Sequence, residues 1–148
     1  MIKTLTAMKL TKNDKTPAQV IKGVYIGSIG SAYNEKSLES AGITHILTVA
    51  NKIKPRFEDK FTYHVIPCVD TPEESIIGLF GESNEFITKT LEASPTNKVL
   101  IHCFAGKSRA TSFMLAYLIG EKNMSLKDGL ERIWMVRPIA EPNKGFMT

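Results

Sequence analysis

Cys103, Gly106 and Arg109 stand three residues apart in "HCFAGKSRA" (His102 to Ala110), between the aliphatic run "VLI" and the apolar stretch "TSFMLAYLI". The run has the make-up of a buried strand and the stretch that of a buried helix. A tight loop entering a helix gathers main-chain N–H groups around one point, an anion site before any side chain is counted. Gly106 allows a turn that a larger residue resists. Arg109 falls in the first helical turn, six residues after Cys103, where its planar fork matches two phosphate oxygens. The same field favours a thiolate over a thiol. A cysteine alone at a strand end is usually a small buried filler. In this company Cys103 reads as a nucleophile held beneath a bound phosphoryl group.

Such a loop needs elements to aim it. "GVYIGS" (Gly23 to Ser28), "ITHILTVA" (Ile43 to Ala50), "YHVIPCV" (Tyr63 to Val69, containing Cys68) and "KVLIH" (Lys98 to His102) read as strands. "KVLIH" does not alternate, so it is expected to be covered on both faces. Helices are expected over "NEKSLESA", ending at Gly42, and from the region of Thr71 onward, with Ile76, Phe80, Ile87 and Leu91 at helical spacing. Thr71, Pro72 and Glu74 resemble a capping box, with Ser75 as a competing start. A third helix should run from Ser108 to Ile119 and stop at Gly120; Ser125 should open the last, which carries Leu126, Leu130, Ile133 and Trp134 and closes at Arg137 and Pro138. Alternating strands and helices imply an α/β fold, a central, mostly parallel sheet flanked by helices. Ligands in such sheets sit at the carboxyl ends of strands, where Cys103 falls.

The chain's 148 residues fit one domain. No apolar run is long enough to span a bilayer, the start lacks the apolar region of a secretion signal, and two cysteines make no disulfide framework. An intracellular setting, cytoplasmic or nuclear, is expected. The net charge of +4 resides in residues 1–22, where five lysines face Asp14 alone. Residues 1–19 are accordingly expected to form a basic arm, solvated or docking on an acidic partner, ahead of a catalytic domain over 20–148. Nothing basic and aromatic recurs along the body, so a nucleic-acid surface is not expected.

The loop "HCFAGKSRA" resembles the H-C-x5-R signature of cysteine-dependent protein phosphatases, and "GVYIGS", "GITHILTVA", "VDTPEE" and "RPIAEPNKGF" resemble the blocks around it in compact dual-specificity phosphatases. The resemblance implies hydrolysis of phosphotyrosine and phosphoserine or phosphothreonine on proteins, through a phosphocysteine, without a metal or other cofactor. It assigns the nucleophile to Cys103 and phosphate binding to Arg109 and the amides of Phe104, Ala105, Gly106, Lys107 and Ser108. It makes His102 a residue that orders the loop and tunes the thiolate, and Asn143 one that braces the loop from outside. Asp70, 33 residues before Cys103, resembles the general acid, ahead of Glu73 and Glu74. One position departs from the family: it usually carries Ser or Thr after the arginine, and here stands Ala110. Two other readings remain open, a phosphoinositide or RNA 5′-phosphate hydrolase, which Lys107 and the basic arm would suit, and a phosphate-binding module with weak turnover.

Overall fold

The computed structural model describes residues 14–69 and 76–142. Among these, five strands form one sheet: β1 (Ala18–Ile21), β2 (Val24–Gly27), β3 (His45–Val49), β4 (Thr62–Ile66) and β5 (Val99–His102). Their order is β1-β2-β5-β3-β4, antiparallel between β1 and β2 and parallel elsewhere. β5 is thus the central strand, flanked on both sides by parallel neighbours. The α/β fold with a mostly parallel sheet expected from the sequence is the one observed.

Side chains alternate across the sheet as strand geometry requires. On one face Val24, Ile26, Leu47, Val49, Val99 and Ile101 pack into one core. On the other, Tyr25, Ile46 and Leu100 pack with Ala32, Leu38 and Phe61. The unalternating run in β5 follows from this, since both its faces are dry.

Among the described residues five helices cover the sheet: α1 (Ile29–Ala32), α2 (Glu35–Ala41), α3 (Phe80–Ala93), α4 (Arg109–Lys122) and α5 (Leu126–Val136). α1 and α2 contribute Ala32 and Leu38 to the second core; α3, α4 and α5 contribute Ile87, Phe113, Met114, Leu130 and Ile133 to the first. Local chemistry sets the ends. Asn34 caps α2 by accepting from the Ser37 amide at 3.2 Å, and Gly42 ends it at φ +78°. Ser125 caps α5 through the Asp128 amide at 3.1 Å.

Three differences from the sequence reading have physical causes. α4 passes through Gly120 and ends at Asn123, which takes the left-handed φ of +56°. Gly120 instead allows close approach of α3, since a Cβ there would lie 3.2 Å from Asn84 Nδ2. The helix expected from the region of Thr71 begins at Phe80, preceded by a single 3-10 turn at Ile77–Leu79; Thr71, Pro72, Glu74 and Ser75 lie outside the described residues. β1 takes in Ala18 and Gln19, which the arm was expected to include. Among the described residues no helix is long and apolar enough to cross a membrane.

Candidate active site

The parallel strands β2, β5 and β3 end at one edge of the sheet, and in register Gly27 and Thr48 flank His102, the last residue of β5. Cys103 follows at once. It is buried, with 2% of its surface exposed, and its sulfur accepts from the Ala110 amide at 3.4 Å, in the first turn of α4.

Between them the loop is fixed from its outer side. The Phe104 carbonyl accepts from the Ile29 amide at 2.8 Å, and the Lys107 carbonyl from the Glu141 amide at 2.6 Å and Thr111 Oγ1 at 2.7 Å. The Ala105 and Gly106 carbonyls accept from Arg137, at 2.8 Å from Nη2 and 2.7 Å from Nε. Four consecutive carbonyls therefore point outward. Because C=O and N–H oppose each other in a trans peptide, the N–H groups of Ala105, Gly106, Lys107 and Ser108 are turned to the inner side. That array suits an oxyanion. Gly106 is needed for the path: its φ is +65°, and a Cβ there would lie 2.3 Å from the Gly27 carbonyl oxygen.

Arg109 opens α4, and its guanidinium reaches the exit of β4, where Nη1 donates to the Cys68 carbonyl at 3.0 Å. Its Nε is buried and meets no acceptor among the described residues. A buried charged donor with an unmet bond calls for an anion, and a bidentate phosphoryl group supplies one.

His102 is buried and bridges two strands. Its Nδ1 lies 3.2 Å from the Cys103 carbonyl and its Nε2 2.8 Å from Thr48 Oγ1. A carbonyl only accepts, so Nδ1 carries the proton. Burial, opposed by that carbonyl bond and aided by the Arg109 charge, lowers its pKa to about 4. The ring is neutral at physiological pH, and Nε2 accepts from the Thr48 hydroxyl.

The structure brings His102, Cys103, the loop Phe104 to Ser108, and Arg109 to one place at the end of β5. Phe104 projects from the loop, 56% exposed, at the rim. The Lys107 ammonium faces outward, 3.4 Å from the Glu141 carboxylate, and so is not left over for a polyanion. Asp70, Glu73, Glu74 and Asn143 lie outside the described residues. Two residues escaped the sequence reading, Thr48 and Arg137. For Arg137 a signal existed: Leu126, Leu130 and Ile133 mark an apolar stripe whose next place is 137, and a charge there is expected to face a buried partner.

Residues 24–148 match the family model described as dual specificity phosphatase, catalytic domain. The chain is 34% identical over 147 residues to dual specificity protein phosphatase 1 of Arabidopsis thaliana, covering 99% of this chain and 73% of that protein. Its fold is similar to the crystal structure of the human tyrosine phosphatase-like serine/threonine/tyrosine-interacting protein (TM-score 0.83, 32% identity, 89% and 91% of the two chains). It is equally similar to the crystal structure of DUSP15 (TM-score 0.83, 35% identity, 90% and 83%). The chain belongs to the dual-specificity phosphatases, cysteine-dependent hydrolases that dephosphorylate tyrosine and serine or threonine on proteins.

Proposed function

We propose that Cys103 carries this hydrolysis, with Arg109 and the loop amides binding the phosphoryl group and Asp70 moving the proton. The Cys103 sulfur attacks phosphorus in line. The bond from phosphorus to the substrate oxygen breaks, and that oxygen takes its pair and a proton from the Asp70 carboxyl. Water then attacks the phosphocysteine, gives a proton to the Asp70 carboxylate, and the P–S bond breaks to return the thiolate and release phosphate. The outward carbonyls of Phe104 to Lys107 are the observation that carries this reading, because they leave a cup of N–H dipoles around the sulfur. Asp70 is two residues beyond Cys68, whose carbonyl Arg109 holds, and two residues of chain reach about 7 Å at most. His102 orders the loop through the Cys103 carbonyl.

The substrate is a phosphoprotein with acidic residues near the phosphorylated one, and the basic arm is their docking segment. Lys15, from that arm, lines an open cleft of about 560 Å³ with Tyr33, Lys36 and Arg56. The Arg56 guanidinium lies 4.8 Å from the Tyr33 ring centroid, and Glu35, the carboxylate in the lining, is paired with Lys60. α1, which leads into the cleft, is bonded to the loop through the Ile29 amide. Both cysteines are buried thiols, which suits the cytoplasm or nucleus.

Phosphate release from phosphotyrosyl and phosphothreonyl peptides tests the chemistry. Cys103→Ser should abolish it on both; a variant that keeps activity overturns the assignment. Acidic flanks should lower KM, and Arg56→Glu should remove that advantage without changing kcat on peptides with neutral flanks.

A further inference from the structure

We infer that Arg137 is a positioning residue for the reaction and that Asp14 is its anchor, so the start of the fold sets the geometry of the phosphate loop. The inference rests on the loop from Cys103 to Arg109 being the phosphoryl site.

Arg137 caps α5, its amide bonded to the Ile133 carbonyl at 2.8 Å. Its side chain is only 7% exposed and turns toward the back of the loop. One planar fork serves two successive peptide planes, Nε on the Gly106 carbonyl and Nη2 on the Ala105 carbonyl. Those planes carry the N–H groups of Gly106 and Lys107, at the middle of the inward array. Because the guanidinium is rigid, fixing two carbonyls on it also fixes the angle between the planes. Lysine offers a point charge on a flexible stem and cannot do this.

Carbonyl contacts alone do not neutralise a buried cation, and an unpaired one is costly. Asp14 supplies the counter-charge: its Oδ2 lies 2.6 Å from Arg137 Nη2, and its carboxylate is 14% exposed. Asp14 is itself tied to the sheet edge, its main-chain carbonyl accepting from Ser28 Oγ at 3.3 Å. A contact spanning 123 residues of sequence thus closes behind the loop. Asp14 is also the single acid among the five lysines of the leading segment, so the residue that anchors the brace lies within the basic arm.

The experiment compares inhibition by orthovanadate, a tetrahedral oxyanion, with kcat, KM and melting temperature for Arg137→Ala, Arg137→Lys, Asp14→Asn and the Asp14→Asn/Arg137→Lys double variant, all assayed well below melting. Loss of charge-assisted bonds to two carbonyls should weaken vanadate and lower kcat/KM about ten- to hundredfold in Arg137→Ala. Arg137→Lys should lose less, recovering the charge but not the fork. Asp14→Asn should weaken vanadate in the same direction, and the double variant should lose less than the product of the two. If Arg137→Ala does not fold, Arg137→Lys and Asp14→Asn carry the test alone. Folded variants with wild-type vanadate inhibition and kcat/KM, changed only in melting temperature, overturn the proposal. Independent losses in the double variant overturn the role of Asp14. Wild-type protein that neither binds vanadate nor depends on Cys103 would instead refute the site itself.

Discussion

The Ala110 amide donates to the Cys103 sulfur across 3.4 Å, and Ala110 has no exposed surface at all. In the family this position usually carries a hydroxyl that can also serve the sulfur. Thr111 does not replace it, because its Oγ1 donates to the Lys107 carbonyl at 2.7 Å. The sulfur therefore leaves phosphorus without the hydroxyl that this position usually supplies.

Breakdown of the phosphocysteine is accordingly expected to be slow. A hydrogen bond to a charged group is worth about 1.5–3 kcal/mol, or roughly one to two decades in rate. Ala110→Ser should raise kcat by about that factor and shrink the burst of leaving group in rapid mixing. A folded Ala110→Ser protein with an unchanged or lower kcat would sink the account.

His102 predicts a pH dependence of stability. The unfolded chain binds a proton on its imidazole as pH falls through the ordinary value of 6.5, whereas the folded ring holds out until about 4. Stability is therefore full above 6.5 and falls between 6.5 and 4, by on the order of 3 kcal/mol. Burial lowers the His45 pKa as well, which adds in the same direction. Urea unfolding of wild type and His102→Gln at pH 7 and 4.5 isolates the term: the variant should show the shallower decline. Nitrogen-15 NMR should find the ring as the Nδ1–H tautomer down to about pH 5, and titration near 6.5 would refute this.

The path of the loop from Cys103 to Arg109 was legible in the sequence because it is local. Strand, glycine and arginine lie within eleven residues, and both the Gly106 conformation and the Arg109 placement follow from that spacing. The brace behind the loop was not legible, because Arg137 and Asp14 meet only through the tertiary fold. β1 escaped for another reason: "AQVI" is four residues at the sheet edge, with Val20 alone buried, and so gives no period to read. Gly120 misled because the same residue type ends helices and lets them touch. Asn123, three residues on, took the left-handed turn instead.

Gly106 makes a sharper test of the loop than any charged residue. Gly106→Ala would force a Cβ to within 2.3 Å of the Gly27 carbonyl oxygen and 2.8 Å of Arg137 Nη2, at a φ that disfavours a side chain. Backbone strain of this kind costs about 1–3 kcal/mol, and the loop is expected to relieve it by moving. kcat/KM should fall at least tenfold, while circular dichroism stays that of a folded α/β protein. Retained activity would show that the loop does not need the observed path.

Proton delivery separates Asp70 from its neighbours. Asp70→Asn should lower kcat on phosphothreonyl peptides by about 100- to 10,000-fold, the usual contribution of a placed acid. On an aryl phosphate with an acidic phenol the loss in the first chemical step should be much smaller, because that oxygen leaves without help. Single-turnover release of the two leaving groups, in wild type, Asp70→Asn, Glu73→Gln and Glu74→Gln, makes the comparison directly. The glutamate variants should behave as wild type on both substrates. If Glu73→Gln or Glu74→Gln shows the leaving-group dependence and Asp70→Asn does not, the acid is that glutamate, and the proton comes from further along the chain than Cys68 and Arg109 suggest.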